Sequence, residues 1–152
     1  MTSSEPYLLD TNVLVYAVDQ ASSHHIAASS LANKGFNGDI PVCVSPQILS
    51  EFFATLTNPK VVSTTREQSE VVSEMRKYFV SKRILKIYPT SETLRVMLEL
   101  LEKYPVSRQD VYDLQLVATM LSNGVTKICT YDANDFRKYK GIEVLTPDTV
   151  LG

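Results

Sequence analysis

Four acidic residues sit in settings that need a physical explanation. In "YLLDTNVLVYAVD", residues 7–19, Asp10 separates two apolar runs that both favour burial. A carboxylate there must reach water or meet a partner, because an unpaired buried charge is costly. In "VYDLQLVATM", Asp113 opens a segment that is apolar almost all round. At about 100° per residue its neighbours at +3, +4 and +7 are Leu116, Val117 and Met120, while Val111, Leu114, Ala118 and Leu121 fill another side. Asp113 therefore faces a cleft, meets a cation, or serves the helix N-terminus, where the dipole favours an acid. Glu51 lies at the rim of the stripe Ile48, Leu49, Phe52, Phe53 and Leu56, and alone reads as a solvated helix glutamate. Alone, Asp10 reads as an N-cap and Asp132, in "YDAND", as a turn residue. If the four converge, the chemistry open to them is that of hard oxygen ligands for a divalent cation.

Convergence depends on the elements that carry them. "YLLD" reads as a short buried strand, followed by helical patterns over roughly 12–18 and 22–33. "IPVCV" is a second strand, ended by Ser45-Pro46, a good N-cap and N1 pair for a helix over 46–57. Thr64 with Glu67, or Thr65 with Gln68, offers a capping box for a helix to about residue 80. "ILKIY" is a third strand and "SETLRVMLELLEKY" an amphipathic helix stopped by Pro105. A helix over 110–123 closes at Asn123-Gly124, "KICTY" is a fourth strand, "NDFRKY" a short helical turn and "IEVL" a last strand. Strands alternating with helices predict an α/β fold, a central parallel sheet with helices on both faces.

In such sheets ligands bind beyond the C-terminal strand ends. Asp10 and Asp132 follow the first and fourth strands directly, Glu51 lies on the helix leaving the second, and Asp113 lies near the start of its helix. Two unit charges about 4 Å apart repel by about 4 kcal/mol at an effective dielectric of about 20. No arginine or lysine adjoins Asp10 or Glu51 in the sequence to offset this. A hard divalent cation would, so the partner expected for Asp10 is a metal ion.

Other chemistries fit poorly. With five glycines in 152 residues there is no Walker-type loop, and there is no nucleophile elbow. Adjacent His24 and His25, read as helix-surface residues, lack the Cys/His spacing of a zinc site. A phosphatase of the Asp-x-Asp type would need a second aspartate where Asn12 stands. Cys43 and Cys129 fall in apolar runs and read as buried thiols. The chain is 44% hydrophobic and 21% charged, with a net charge of −2, so it carries no global basic field for tight non-specific nucleic-acid binding. Two local basic clusters remain: Arg76, Lys77, Lys82, Arg83 and Lys86, read as a solvated face, and Arg137, Lys138 and Lys140, beside the candidate site loop. No apolar run is long enough for a membrane span and "MTSSEPY" lacks a signal pattern, so a cytoplasmic protein is expected.

The blocks "LLDTNVLVYAVD", "VSPQILSEFFATLTNP", "VYDLQLVATMLSNG", "ICTYDANDF" and "EVLTP", in this order and spacing, closely resemble the PIN-domain ribonucleases, and within them the VapC-type toxins of toxin–antitoxin pairs. The resemblance covers roughly residues 7–148 of one domain spanning 1–152; residues 60–105 carry none of its motifs. It implies a metal-dependent endoribonuclease in which Asp10, Glu51, Asp113 and Asp132 are catalytic and metal-binding. Asn12 and Thr130 match supporting polar positions, and Asp135 is kept as a helper to Asp132, which the family pattern favours. It also implies Mg2+ or Mn2+, an RNA substrate, a homodimer and a small antitoxin partner. The alternative is a non-catalytic binding module of the same fold, acting through antitoxin and operator regulation.

Overall fold

The computed structural model describes residues 5–152. Five short strands, β1 (Tyr7–Leu9), β2 (Val42–Val44), β3 (Ile84–Lys86), β4 (Lys127–Cys129) and β5 (Glu143–Leu145), form one sheet in the order β3-β2-β1-β4-β5. All four pairings are parallel, with Leu8 beside Cys43 and Ile128, and Leu9 beside Cys129. Successive side chains of a strand point to opposite faces. Leu8 and Leu9, Cys43 and Val44, and Ile128 and Cys129 are all fully buried, so both faces of the central strands are covered.

Seven helices supply that cover: α1 (Thr11–Val18), α2 (His25–Asn37), α3 (Pro46–Leu56), α4 (Gln68–Val80), α5 (Ser91–Lys103), α6 (Asp110–Ser122) and α7 (Pro147–Leu151). α1 packs on α2 and α3, α3 on α4, α7 on α2, and α5 on α6. Their ends follow local chemistry. Ser45 caps α3 by accepting from the Ile48 N–H at 3.4 Å, with Pro46 at N1. Gly38 closes α2 at φ +80°, a conformation open to a residue without Cβ, and the asparagine–glycine pair after α6 puts Gly124 at φ +71°.

The expected class and strand series are observed, with shifts at four elements. α2 begins at His25 and runs on to Asn37, because Gly35 lets it approach β2: a Cβ there would lie 2.6 Å from Val42 Cγ2. α4 starts at Gln68 rather than Thr64 or Thr65, since Glu67 pairs with Glu70 in a capping box. "NDFRKY" supplies only part of a 3₁₀ turn, Ala133–Asp135, and Pro147 opens a further helix. Cys43 and Cys129 are buried free thiols. Among the described residues no helix is long and apolar enough to cross a membrane.

Candidate metal centre

The chain runs from β1 outward to β2 and β3, then returns to the other side of β1 for β4 and β5. The connections after β1 and β4 therefore diverge and open a crevice, the usual ligand position in such sheets. Asp10 and the segment Thr130–Asp132 lie at this switch point, pinned by the Asp10 N–H to Cys129 carbonyl bond of 3.0 Å.

Asp10 caps α1 in extended conformation. Its Oδ1 accepts from the Thr11 N–H at 2.8 Å and its Oδ2 from the Thr130 hydroxyl at 2.8 Å. Thr130, fully buried, also accepts from the Asp132 N–H at 2.9 Å. The Asn12 amide nitrogen lies 3.0 Å from Asp132 Oδ2, 3.2 Å from Thr130 Oγ1 and 3.5 Å from Asp10 Oδ2. Asn12 Oδ1 accepts from the Tyr131 N–H at 3.2 Å. Asn12 and Thr130 thus tie the end of β1 to the end of β4 and hold Asp10 and Asp132 in one network.

The other acids arrive on helices. Thr11 Oγ1 donates to Glu51 Oε1 at 3.4 Å, joining α1 to α3. Gln47, one turn before Glu51, donates from Nε2 to the Tyr112 carbonyl at 2.9 Å. That bond fastens α3 to α6 beside Asp113. Asp113 is not an N-cap, because Gln109 holds that position. Among the described residues it has no ion-pair partner either, so of its three readings the cleft is the one observed.

Asp10, Asn12, Glu51, Asp113, Asp132 and Asp135 line one cleft of about 350 Å³. The sequence reasoning missed Asp19, Tyr16 and Thr55, which line it too. Helical periodicity held the signal: Tyr16 and Asp19 follow Asn12 at +4 and +7, and Thr55 follows Glu51 at +4. Asp135, expected to be at most a helper, lies in the same cleft because the 3₁₀ turn folds it back toward α6. A smaller pocket of about 130 Å³ continues beyond Asp113 and Asp135 to Asp110, Asn134, Lys138 and Tyr139.

The charges oppose one another. Burial, then the charges of Asp135, Asp10, Glu51 and Asp110, push the Asp113 carboxyl up to about 7. Burial also raises Asp10, against the lowering effect of its bonds from Thr130 and Thr11. Glu51 is raised by burial and then by Asp10; Asp135 is raised by burial and then by Asp132 and Asp110. None of these acids has an ion-pair partner among the described residues. The donor set is all oxygen, which fits a hard divalent cation. Among the described residues the acids line the cleft without three of them already gathered into a ligand cluster.

The basic clusters divide. Lys86 Nζ donates to the Ser81 and Ile84 carbonyls at 2.6 and 2.8 Å, and Lys77 pairs with Glu74, so these two of the five cations in the first cluster are engaged locally. In the second, Lys138 lines the smaller acidic pocket. His25 Nδ1 lies 2.9 Å from the Tyr16 carbonyl, and His24 stacks on Tyr131, so neither histidine is simply a helix-surface residue.

Ribonuclease VapC24 of Mycobacterium tuberculosis is 27% identical over 145 residues, covering 95% of this chain and 98% of that protein. The crystal structure of the Mycobacterium tuberculosis toxin VapC20, described as cleaving the sarcin-ricin loop, superposes with a TM-score of 0.65 at 15% identity, covering 87% of this chain and 94% of that one. A toxin–antitoxin complex from Klebsiella pneumoniae contains a chain similar at a TM-score of 0.58 and 16% identity, with 93% and 97% covered. The PIN domain family matches residues 7–142, and the chain belongs to that family.

Proposed function

We propose that this protein is a divalent-metal-dependent endoribonuclease, the toxin of a toxin–antitoxin pair, working in the cytoplasm. One observation carries the reading: Asp10, Glu51, Asp113, Asp132 and Asp135 share a single cleft at the sheet's switch point with no basic side chain paired to any of them among the described residues. Mutual repulsion of this kind is useful to a protein that binds a cation and is a burden to one that does not.

Asp10, Glu51, Asp113 and Asp132 would hold Mg2+ or Mn2+, with Asp135 beside them. When bound, the ion supplies charge neutralisation and Lewis acidity toward water and a phosphodiester. The chain's own residues do the positioning. Thr130 and the Thr11 N–H aim the Asp10 carboxylate, and Asn12 orients Asp132. Thr11 steadies Glu51 across the cleft. Asp113, its carboxyl pushed up to about 7, would give up its proton on holding a cation. The relatives' names support RNA as substrate, and the Klebsiella complex supports a small antitoxin partner. A homodimer completes the reading.

The test is cleavage of single-stranded RNA by the purified chain. Internal cuts are expected with Mg2+ or Mn2+, loss of cutting in excess chelator, and recovery when the ion is restored. Undiminished cutting in excess chelator overturns the metal requirement. If neither ion supports cutting while the chain still binds an antitoxin, the binding-module reading replaces this one.

A further inference from the structure

Beside the acidic cleft three aromatic rings from separate segments pack against one another. His24, which precedes α2, lies 4.1 Å from Tyr131 centroid to centroid at an interplanar angle of 30°. Tyr16 of α1 meets the edge of Tyr131 at 5.4 Å and the His24 ring at 5.2 Å. Tyr16 lines the cleft itself, and Tyr131 directly precedes Asp132 and gives its N–H to Asn12. Of the three rings only His24 is exposed, with one of its faces against Tyr131.

We infer that His24 is a stacking platform for an unpaired nucleobase of the strand whose phosphate lies in the cleft. The inference rests on the ribonuclease reading for the identity of the ligand. The cleft is strongly acidic and repels phosphates before a cation enters, and Lys77 and Lys86 of the first basic cluster are engaged elsewhere. Net charge is −2, so no global basic field adds affinity by counterion release. Face-to-face contact with a ring adds grip that needs no phosphate contact. An unpaired base offers a free π-face to a ring, whereas a base inside a duplex does not. The stack is anchored at both depths: Tyr131 by its backbone bond to Asn12, and the segment before α2 by the His24 N–H donating to Ser22 Oγ at 3.0 Å.

The probe is a single-stranded RNA carrying 2-aminopurine, whose fluorescence falls on stacking, mixed with full-length protein in Mg2+ and read by stopped flow before cutting. The unmodified RNA is used with Mg2+ for kinetics. Wild-type protein is expected to quench the probe, and His24→Ala to weaken binding by at least roughly fivefold while raising KM more than it lowers kcat. His24→Phe, which keeps a ring, should restore most of both, and a duplex of the same sequence should not quench. Thermal melting confirms that the variants fold, as expected for an exposed side chain. His24→Ala with wild-type binding and KM overturns the platform, as does a His24→Phe as weak as His24→Ala. Protein that quenches through His24 but never cuts keeps the platform and overturns the ribonuclease reading. Protein that cuts without quenching does the reverse.

Discussion

The amide nitrogen of Asn12 donates to Asp132 Oδ2 at 3.0 Å, joining residues 120 positions apart across the ends of two adjacent parallel strands. The bond makes the position of one acid depend on the helix that the other caps.

Asn12→Ala should therefore disorder Asp132 without touching the core. Loss of an outer-shell partner of a ligating carboxylate lowers activity or metal affinity by roughly 10- to 100-fold. The check is the Mg2+ concentration giving half-maximal RNA cleavage, with melting temperature as a folding control. An unchanged Mg2+ dependence would show that Asp132 needs no such support.

Thr130 is fully buried, donating to Asp10 and accepting from the Asp132 N–H. Thr130→Val keeps the shape and strands both partners, which should cost roughly 1–3 kcal/mol of stability. Thr130→Ser should recover most of it. Denaturant unfolding of the metal-free protein reads the difference, and equal stability of the Val variant and wild type would refute the role.

For Asp113 the sign of the pH effect can be worked out. Its folded-state value, about 7, stands above the ordinary 3.8, so the folded protein binds the proton more tightly than the unfolded chain. Stability of the metal-free protein should then fall as pH rises from about 4 through about 7 and level off above. Asp113→Asn should flatten that slope, leave the fold intact, and cleave RNA far more slowly because an amide is a poorer ligand for Mg2+. Melting curves across this range, and cleavage rates with Mg2+, check the two halves. A variant cutting at the wild-type rate removes Asp113 from the site.

Asp132→Asn should reduce cleavage more than Asp135→Asn. Both line the cleft, but Asp132 belongs to the Asn12–Thr130 network. Asp135 stands on the 3₁₀ turn and is raised by burial and then by Asp132 and Asp110. Rates for the two variants at saturating Mg2+ decide it. Greater damage from Asp135→Asn would move the fourth ligand to that turn.

Much of this was legible in the chain itself. Period-2 and period-3.6 apolar patterns, Ser45-Pro46 and Asn123-Gly124 mark where elements start and stop, because helix faces and caps are decided within a few residues. Asp10 and Asp132 could be placed at strand ends for the same reason. Asp113 drew attention because a charge in an all-round apolar helix is costly wherever the helix goes.

Only the tertiary structure decided which acids share a cleft. β1 and β4 are neighbours although Leu9 and its partner Cys129 stand 120 positions apart, an adjacency set by long-range pairing and not by any local pattern. The 3₁₀ turn brings Asp135 toward α6, and the Gln47 bond to Tyr112 brings Glu51 beside Asp113. The Tyr16–Tyr131–His24 stack likewise joins three distant segments. Local propensity reports which way a side chain faces relative to its own element. Which other charges or rings it meets depends on how the elements pack, and from that packing come the burial and repulsion that lift Asp113 and the stacking of His24 on Tyr131.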